Sequence, residues 1–380
     1  MKSALLLLLS TASAAYVPPV RRAARLPPLA AAHAIDESDY AADEAAFSVW
    51  LSTRFAEEPG ADEYSELFAD AHDAVLRWRR RYRGKQRIWK ALKAERIIKE
   101  IVEAAPVLAA ACELVANTPH GEPFTIVDLC SGKGFLSMVL SELLPSDRVA
   151  RCVLVDKAWP PFDHEGPIAP HHISDEHIYG AREGNELRLR ASPAAGPWPI
   201  PLFTSKQNLK NKATLRGMTR NVFDRCEGPV LLLGVHLCGT LALRACDLFN
   251  NNEQVKLLAL KPCCLPSMVH ANRDEVFSVG DHSFEAREVC AAGRFRAGGV
   301  WDGPPRADLG PRFERWTEHL LHGVSVAATS GSKAITFSRV QTKGGYQNLF
   351  VWTERGPNVT EPLWERLGRS SYSTSSRNVP

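Results

Sequence analysis

The 380-residue chain lacks the spacings by which cysteines usually signal a metal site or a disulfide scaffold. Its nine cysteines, at 112, 130, 152, 226, 238, 246, 263, 264 and 290, form no C-x-x-C and no Cys/His zinc spacing. Several lie in apolar strand or helix patterns, where cysteine behaves as a small buried hydrophobe. The thiols are therefore read as reduced, and no metal is expected. No apolar stretch reaches 18 residues, so neither a transmembrane helix nor integral membrane association is expected. The net charge of +3 is too small to imply nucleic acid by itself, and any argument from charge must be local. No internal repeat is visible. What is there is ordinary for a globular protein, with 45% hydrophobic and 23% charged residues.

Residues 126–137 are the most informative. An apolar run ends in Asp128, glycines follow at 132 and 134, and an apolar stretch continues through Phe135, Leu136, Met138, Val139 and Leu140. That is a buried strand, a tight turn and the opening of a helix. Glycine in such a turn takes positive φ and admits a ligand where a Cβ would block it, and the helix start adds unpaired N–H groups. Cys130, Ser131, Gly132, Gly134 and Phe135 are accordingly candidate cofactor contacts. A dinucleotide fingerprint requires a third glycine where this chain has Ser137, and Gly134 after Lys133 rules out a Walker-type Gly-Lys-Ser/Thr. A phosphate on this loop would meet Asp128 as a like charge. A cofactor with a cationic centre and an α-amino group would find it a partner, and S-adenosylmethionine (SAM) carries both. The alternative is a tight turn that binds nothing.

A second apolar run, Val149 to Val155, ends in Asp156, followed by Lys157. An acid at the end of the second strand of a βαβ unit accepts hydrogen bonds from ribose hydroxyls. Gln207 or Asn208, after a third strand, would meet the adenine edge. His236, after a fourth, stands where a general base for a hydroxyl acceptor is needed, and histidine titrates near neutrality. It reads equally as a strand-end residue that shapes the pocket. Cys238 is a candidate nucleophile, as are Cys263 and Cys264, although packing is the plainer role for all three. Adjacent residues on a strand point to opposite faces, so at most one of Cys263 and Cys264 is expected to face the site.

Asp-Leu-Cys-Ser-Gly-Lys-Gly at 128–134, Val-Asp-Lys at 155–157, Val-His-Leu-Cys-Gly-Thr at 235–240 and Pro-Cys-Cys-Leu at 262–265 together resemble one known domain. It is the class I SAM-dependent methyltransferase domain of a group of eukaryotic methyltransferase-like proteins, which includes the enzyme that 2′-O-methylates the tRNA acceptor stem. The resemblance covers roughly residues 120–355. It implies a seven-stranded Rossmann-like sheet ending in an antiparallel hairpin, SAM as cofactor, and the site residues above. Two departures concern the substrate. Leu265-Pro266 stand where the tRNA enzyme is similar to a Cys-Cys-His-His pattern, and the zinc-finger cysteines that precede its domain are missing.

Along the chain, Lys2, the apolar run Ala4–Leu9 and Ala12-Ser13-Ala14 read as a signal peptide. Residues 15–34 carry Arg21, Arg22 and Arg25 and no acid. The pair resembles a bipartite plastid presequence of algae with complex plastids, and the stroma would keep thiols reduced; plain secretion is the alternative. Helices are predicted before Pro59, over about 61–82 and over about 85–116. Strands are predicted at 124–128, 150–155, 200–204, 229–235, 256–261, 333–340 and 347–353, a helix at 312–322, an insertion at 160–199 and a disordered tail at 356–380. The resulting division is a presequence 1–34, a helical region 35–118 and a methyltransferase domain 119–355.

Between Arg77 and Lys99 eleven cations surround a single acid, Glu95, with Trp78, Tyr82 and Trp89 interleaved. Cations meet phosphates and aromatic faces stack on bases. RNA is therefore the expected partner of this segment, through Arg79, Arg80, Arg81, Arg83 and Arg87. A solvated helix face is the alternative, with a protein or small molecule as the methyl acceptor. A non-catalytic scaffold on the same fold is a third reading. Nothing in the sequence speaks to oligomeric state.

Overall fold

Six apolar or short residues, Phe124–Leu129, form strand β1, and all six are buried. A strand buried on both faces belongs at the centre of a parallel sheet. β1 has parallel neighbours on each side: β2 (Val149–Asp156) and β4 (Val230–Cys238). β3 (Leu202–Lys206) extends the sheet beyond β2, and β5 (Val255–Cys264) extends it beyond β4.

The computed structural model describes residues 37–161, 168–180, 198–291, 293–295, 301–303, 309–326, 331–340, 345–356, 361–367 and 375–377. Helices α1 (Glu37–Ala56), α2 (Ser65–Arg81), α3 (Gln86–Leu92) and α4 (Ala94–Asn117) precede β1. α5 (Phe135–Leu143) follows β1, α6 (Glu176–Tyr179) follows β2, α7 (Lys212–Asn221) follows β3 and α8 (Leu241–Asn250) follows β4. After β5 come α9 (Met268–Ala271), the hairpin β6 (Val276–Val279) and β7 (His282–Glu285), α10 (Ala286–Val289), and the short pair β8 (Arg294–Phe295) and β9 (Trp301–Asp302). The chain closes with α11 (Gly310–Gly323), β10 (Gly331–Phe337), β11 (Leu349–Arg355), α12 (Leu363–Leu367) and β12 (Ser375–Arg377).

In the main sheet the order is β12-β10-β11-β5-β4-β1-β2-β3. β11 is antiparallel to both β5 and β10. Five parallel strands with the last strand of a terminal hairpin inserted in reverse beside the fifth is the class I methyltransferase fold. All seven predicted strands are present, and β12 adds a short eighth to the edge.

Two apolar layers cover the sheet. On one face Ile126, Leu231, Leu233, Leu257 and Ala259 pack with residues of α2, α4 and α5. On the other, Val127, Leu232, Leu258 and Leu260 pack with residues of α7, α8 and α11. Helices α2 and α4 thus share a core with the sheet, and no boundary between compact units falls at residue 118. The chain divides instead at Ala45/Ala46, within α1; of residues 1–45, only the helical stretch 37–45 is described.

The helix predicted over 85–116 is broken in two. Lys93 takes φ 59°, outside helical space, and the N–H groups of Arg96 and Ile97 both turn back to its carbonyl. The β6–β7 hairpin was not predicted. A two-residue turn joins it, with Gly280 at φ 55°. The presequence, most of the 160–199 insertion and most of the tail lie outside the described residues; residues 363–367 of the tail, expected to be disordered, instead form α12, with Leu363, Trp364 and Leu367 buried in the core. Among the described residues, no helix is long and apolar enough to cross a membrane.

Candidate functional site

The parallel strands β1, β2, β4 and β5 end along one edge of the sheet, where an open α/β fold receives ligands. The β1–α5 loop lies there. Cys130, Gly132 and Gly134 all have positive φ, at 55°, 54° and 82°. The two glycines serve different ends. A Cβ on Gly134 would stand 2.2 Å from Leu154 Cδ2, so this glycine allows the loop to close on β2. A Cβ on Gly132 would meet nothing within 4 Å, so it faces open space where a ligand has room.

Asp128 is 2% exposed, and its Oδ2 accepts from Ser137 Oγ at 2.9 Å. Burial pushes its carboxyl up to about 7; the Ser137 bond opposes the rise and the nearby charge of Asp156 adds to it. Asp156 ends β2 and closes the loop: Oδ2 accepts from Gly132 N at 3.1 Å and Oδ1 from Ala158 N at 2.8 Å. Cys130 and Ser131 are half-buried in the loop and Lys157 is exposed. Phe135 is part of the core and presents almost no surface.

Two residues that the sequence did not single out, Trp159 and His177, hold this loop in place. Trp159 Nε1 donates to Ser131 Oγ at 3.2 Å, and its ring stacks on His177. Burial brings His177 down to about 4, so the ring is neutral, and Nε2–H donates to the Lys133 carbonyl at 2.7 Å. Tyr82 in turn donates to the backbone carbonyl of His177. No motif marks these contacts, because they join four separate parts of the chain.

After β3, Gln207 is half-buried, with Nε2 3.4 Å from Ser205 Oγ. Asn208 is exposed, and its Oδ1 accepts from Lys210 N at 3.2 Å, an ordinary turn contact. An open cleft of about 630 Å³ between β2, β3 and α7 takes in Gln207 with Arg151, Phe203, Lys206 and Arg225, and none of Asp128, Gly132 or His236 lines it.

On β4 the register with β5 shifts between Gly234 and Leu237, and such an irregularity re-aims side chains. His236 is brought to the α4 side. Its Nε2 lies 3.0 Å from Glu100 Oε2 and 3.5 Å from Glu103 Oε2. Burial would raise Glu100, but the hydrogen bond and charge of His236, with Arg96 and Lys99, bring it down to about 2. An ionised carboxylate accepts only, so Nε2 of His236 carries a proton in this pair. Behind this pair, Lys261 is fully buried with Nζ 3.8 Å from Glu103 Oε2. Burial lowers Lys261 to about 8, against the pull of Glu103.

Cys238, Cys263 and Cys264 come together. Sγ of Cys238 is 2.9 Å from that of Cys263, which is 3.7 Å from that of Cys264, and all three lie within 4.8 Å of one another. The expectation that adjacent cysteines face apart is overturned, because strict alternation ends where the register of β4 and β5 shifts again between Leu237 and Cys238. The thiol of Cys238 is pushed up to about 11: the bond with Cys263 lowers it, and the bond with Cys264 together with burial outweighs this. Cys263 is raised further by its bonds to both neighbours. Cys238 and Cys263 thus lack the ionisation an activated nucleophile needs.

The aromatic residues of the basic segment face inward. Trp78 and Tyr82 are buried, and Trp89 packs against the core, so they do not form a stacking face. Arg77 and Arg81 both pair with the buried carboxylate of Glu142, at 2.8 and 2.9 Å, and Arg81 lies over the Trp198 ring. Arg87 pairs with Glu176, and Arg79 lies over Phe47. Arg80 and Arg83 also have partners within the protein. Much of this charge anchors α2 and α3 to α5 and α6.

No protein-family model and no curated protein matches the chain. Among solved structures it is similar to the plantazolicin methyltransferase BpumL in complex with SAH, at 13% identity and a TM-score of 0.31, over 83% of this chain and 99% of that one. A likeness this distant carries no weight here, and the assignment of the fold rests on the strand order.

Proposed function

We propose that this protein is a methyltransferase that uses SAM. The observation that carries the reading is the β1–α5 loop, in which Gly132 faces open space beside a buried acid and the β2 acid braces the turn. SAM brings a sulfonium and an α-amino group to that acid, and a ribose to the end of β2. On this reading, Asp128 acts through the loop on the methionine portion and Asp156 on the ribose. Calorimetry on the whole chain should show binding of SAM and its demethylated product but not of NAD or ATP. Gly132→Val should abolish it, since a branched side chain fills the approach and resists positive φ. Equal binding by the variant would remove the loop from the site.

Methyl transfer requires alignment of nucleophile and sulfonium carbon and, for a hydroxyl acceptor, removal of its proton. A neutral His236 has the arrangement of a general base, with Nε2–H held by Glu100 and Nδ1 left to accept. His236→Ala should keep SAM affinity and lower turnover by roughly 10²–10⁴-fold. If cofactor binding is lost together with turnover, the histidine is structural.

RNA is the acceptor class we favour, supported by exposed Arg83, Lys85, Arg87 and Lys90 around the α2–α3 turn. Because the neighbouring aromatics are packed inside, contact there would be with phosphates. Incubation with labelled SAM and separated RNA and protein fractions tests it. Label in protein alone, or an RNA affinity insensitive to salt, would move the acceptor to a protein or small molecule.

A further inference from the structure

Three cysteine sulfurs from two adjacent strand ends occupy the space of one ion. Cys238 closes β4, Cys263 and Cys264 close β5, and the two ends are tied by Gly239 N donating to the Cys264 carbonyl at 3.0 Å. The Gln347 side chain donates to the Cys263 carbonyl from the segment before β11. Strand ends held in this way present side chains more rigidly than a free loop does.

We propose that Cys238, Cys263 and Cys264 bind a single thiophilic divalent cation of the zinc type, with a fourth coordination position open to solvent. Zinc–thiolate bonds of ~2.3 Å in tetrahedral geometry put sulfurs roughly 3.8 Å apart. The Cys263 and Cys264 sulfurs, 3.7 Å apart, already stand near that separation, the Cys238 sulfur is closer to Cys263 at 2.9 Å, and all three lie within 4.8 Å of one another; rotation of the exposed Cys238 side chain would lengthen the short separation. An all-sulfur donor set selects a soft or borderline cation over magnesium or calcium. Cys238 and Cys264 are exposed, so the fourth position is reached from outside. Three protein ligands and one open position is the pattern of a site that binds and polarises a further group.

This inference does not rest on SAM use, because metal binding is read without cofactor. The reduced full-length protein would be titrated with Co²⁺ and then with Zn²⁺. One equivalent of cobalt should give the sulfur charge-transfer and intense d–d bands of a tetrahedral site, and zinc should erase them. Cys238→Ser, Cys263→Ser and Cys264→Ser should each weaken binding by about 100-fold or more, since loss of outer-sphere partners alone costs about 10–100-fold. Cys226→Ser, elsewhere in the fold, should bind as the parent does. If the ligand variants fail to fold, the parent still decides the matter: zinc should protect these three thiols from alkylation, as read by peptide mapping. Absence of the cobalt bands, bands that survive in the variants, or a Cys238–Cys263 disulfide in a protein that binds no cobalt after reduction would each overturn the site.

Discussion

A carboxyl sealed at the end of an apolar strand keeps its proton to higher pH than one in water, and Asp128 is such a group, raised to about 7 mainly by burial. Its folded value lies above its unfolded one. Between about pH 4 and 7 the folded protein therefore holds a proton that the unfolded chain has lost, and stability falls as pH rises through this window. Asp128→Asn should flatten that slope, as read by melting temperatures at pH 5 and pH 8. A cationic cofactor needs the ionised form, so SAM affinity should rise roughly tenfold from pH 6 to pH 8 in the parent and stay level in the variant. A parent affinity that does not change with pH would detach Asp128 from the cofactor. The loop glycines separate two further effects. Gly134→Ala drives a Cβ into Leu154 at positive φ and should cost about 1–3 kcal/mol of stability. Gly132→Ala meets no atom and should cost about 1–2 kcal/mol for its conformation alone. Chemical denaturation should rank the two in that order.

At the scale of elements, α4 brings acids against the ends of β4 and β5. Glu103 accepts from Lys99 and lies within reach of His236 and Lys261. Glu103→Ala would leave the Lys261 ammonium buried with no counter-charge beside it, and should destabilise the protein by about 3–5 kcal/mol in urea unfolding. The apolar pair Glu103→Leu with Lys261→Met should recover most of that loss. If the single variant melts like the parent, the pair is solvated rather than buried. In the α2–α3 segment eleven cations stand beside a single acid along the chain, and Glu142 and Glu176 meet three of them from α5 and α6.

At the scale of the whole molecule, α2 and α4 are part of the sheet's own core. Leu67, Val75, Ile97 and Ile101 pack in one cluster with Ile126, Leu231 and Leu257. A chain starting at residue 119 would expose that face and should neither melt cooperatively nor stay dispersed, whereas one starting at residue 37 should fold; calorimetry and light scattering check both. A cooperative melt of the shorter chain would restore the boundary near 118. The strands, the α/β order and the glycine loop were legible in the sequence because each is written locally. Apolar runs of strand length end at turn residues, and glycines stand where positive φ is needed. The β6–β7 turn at Gly280-Asp281 is written just as locally. The His236–Glu100 pair joins residues 136 apart in the chain, the clamp on the loop joins Tyr82 to His177 and Lys133, and the three sulfurs meet only because β4 and β5 lose strict alternation where they end. Such contacts depend on strand register and on which helix covers which face, and no local pattern of residue types carries that information.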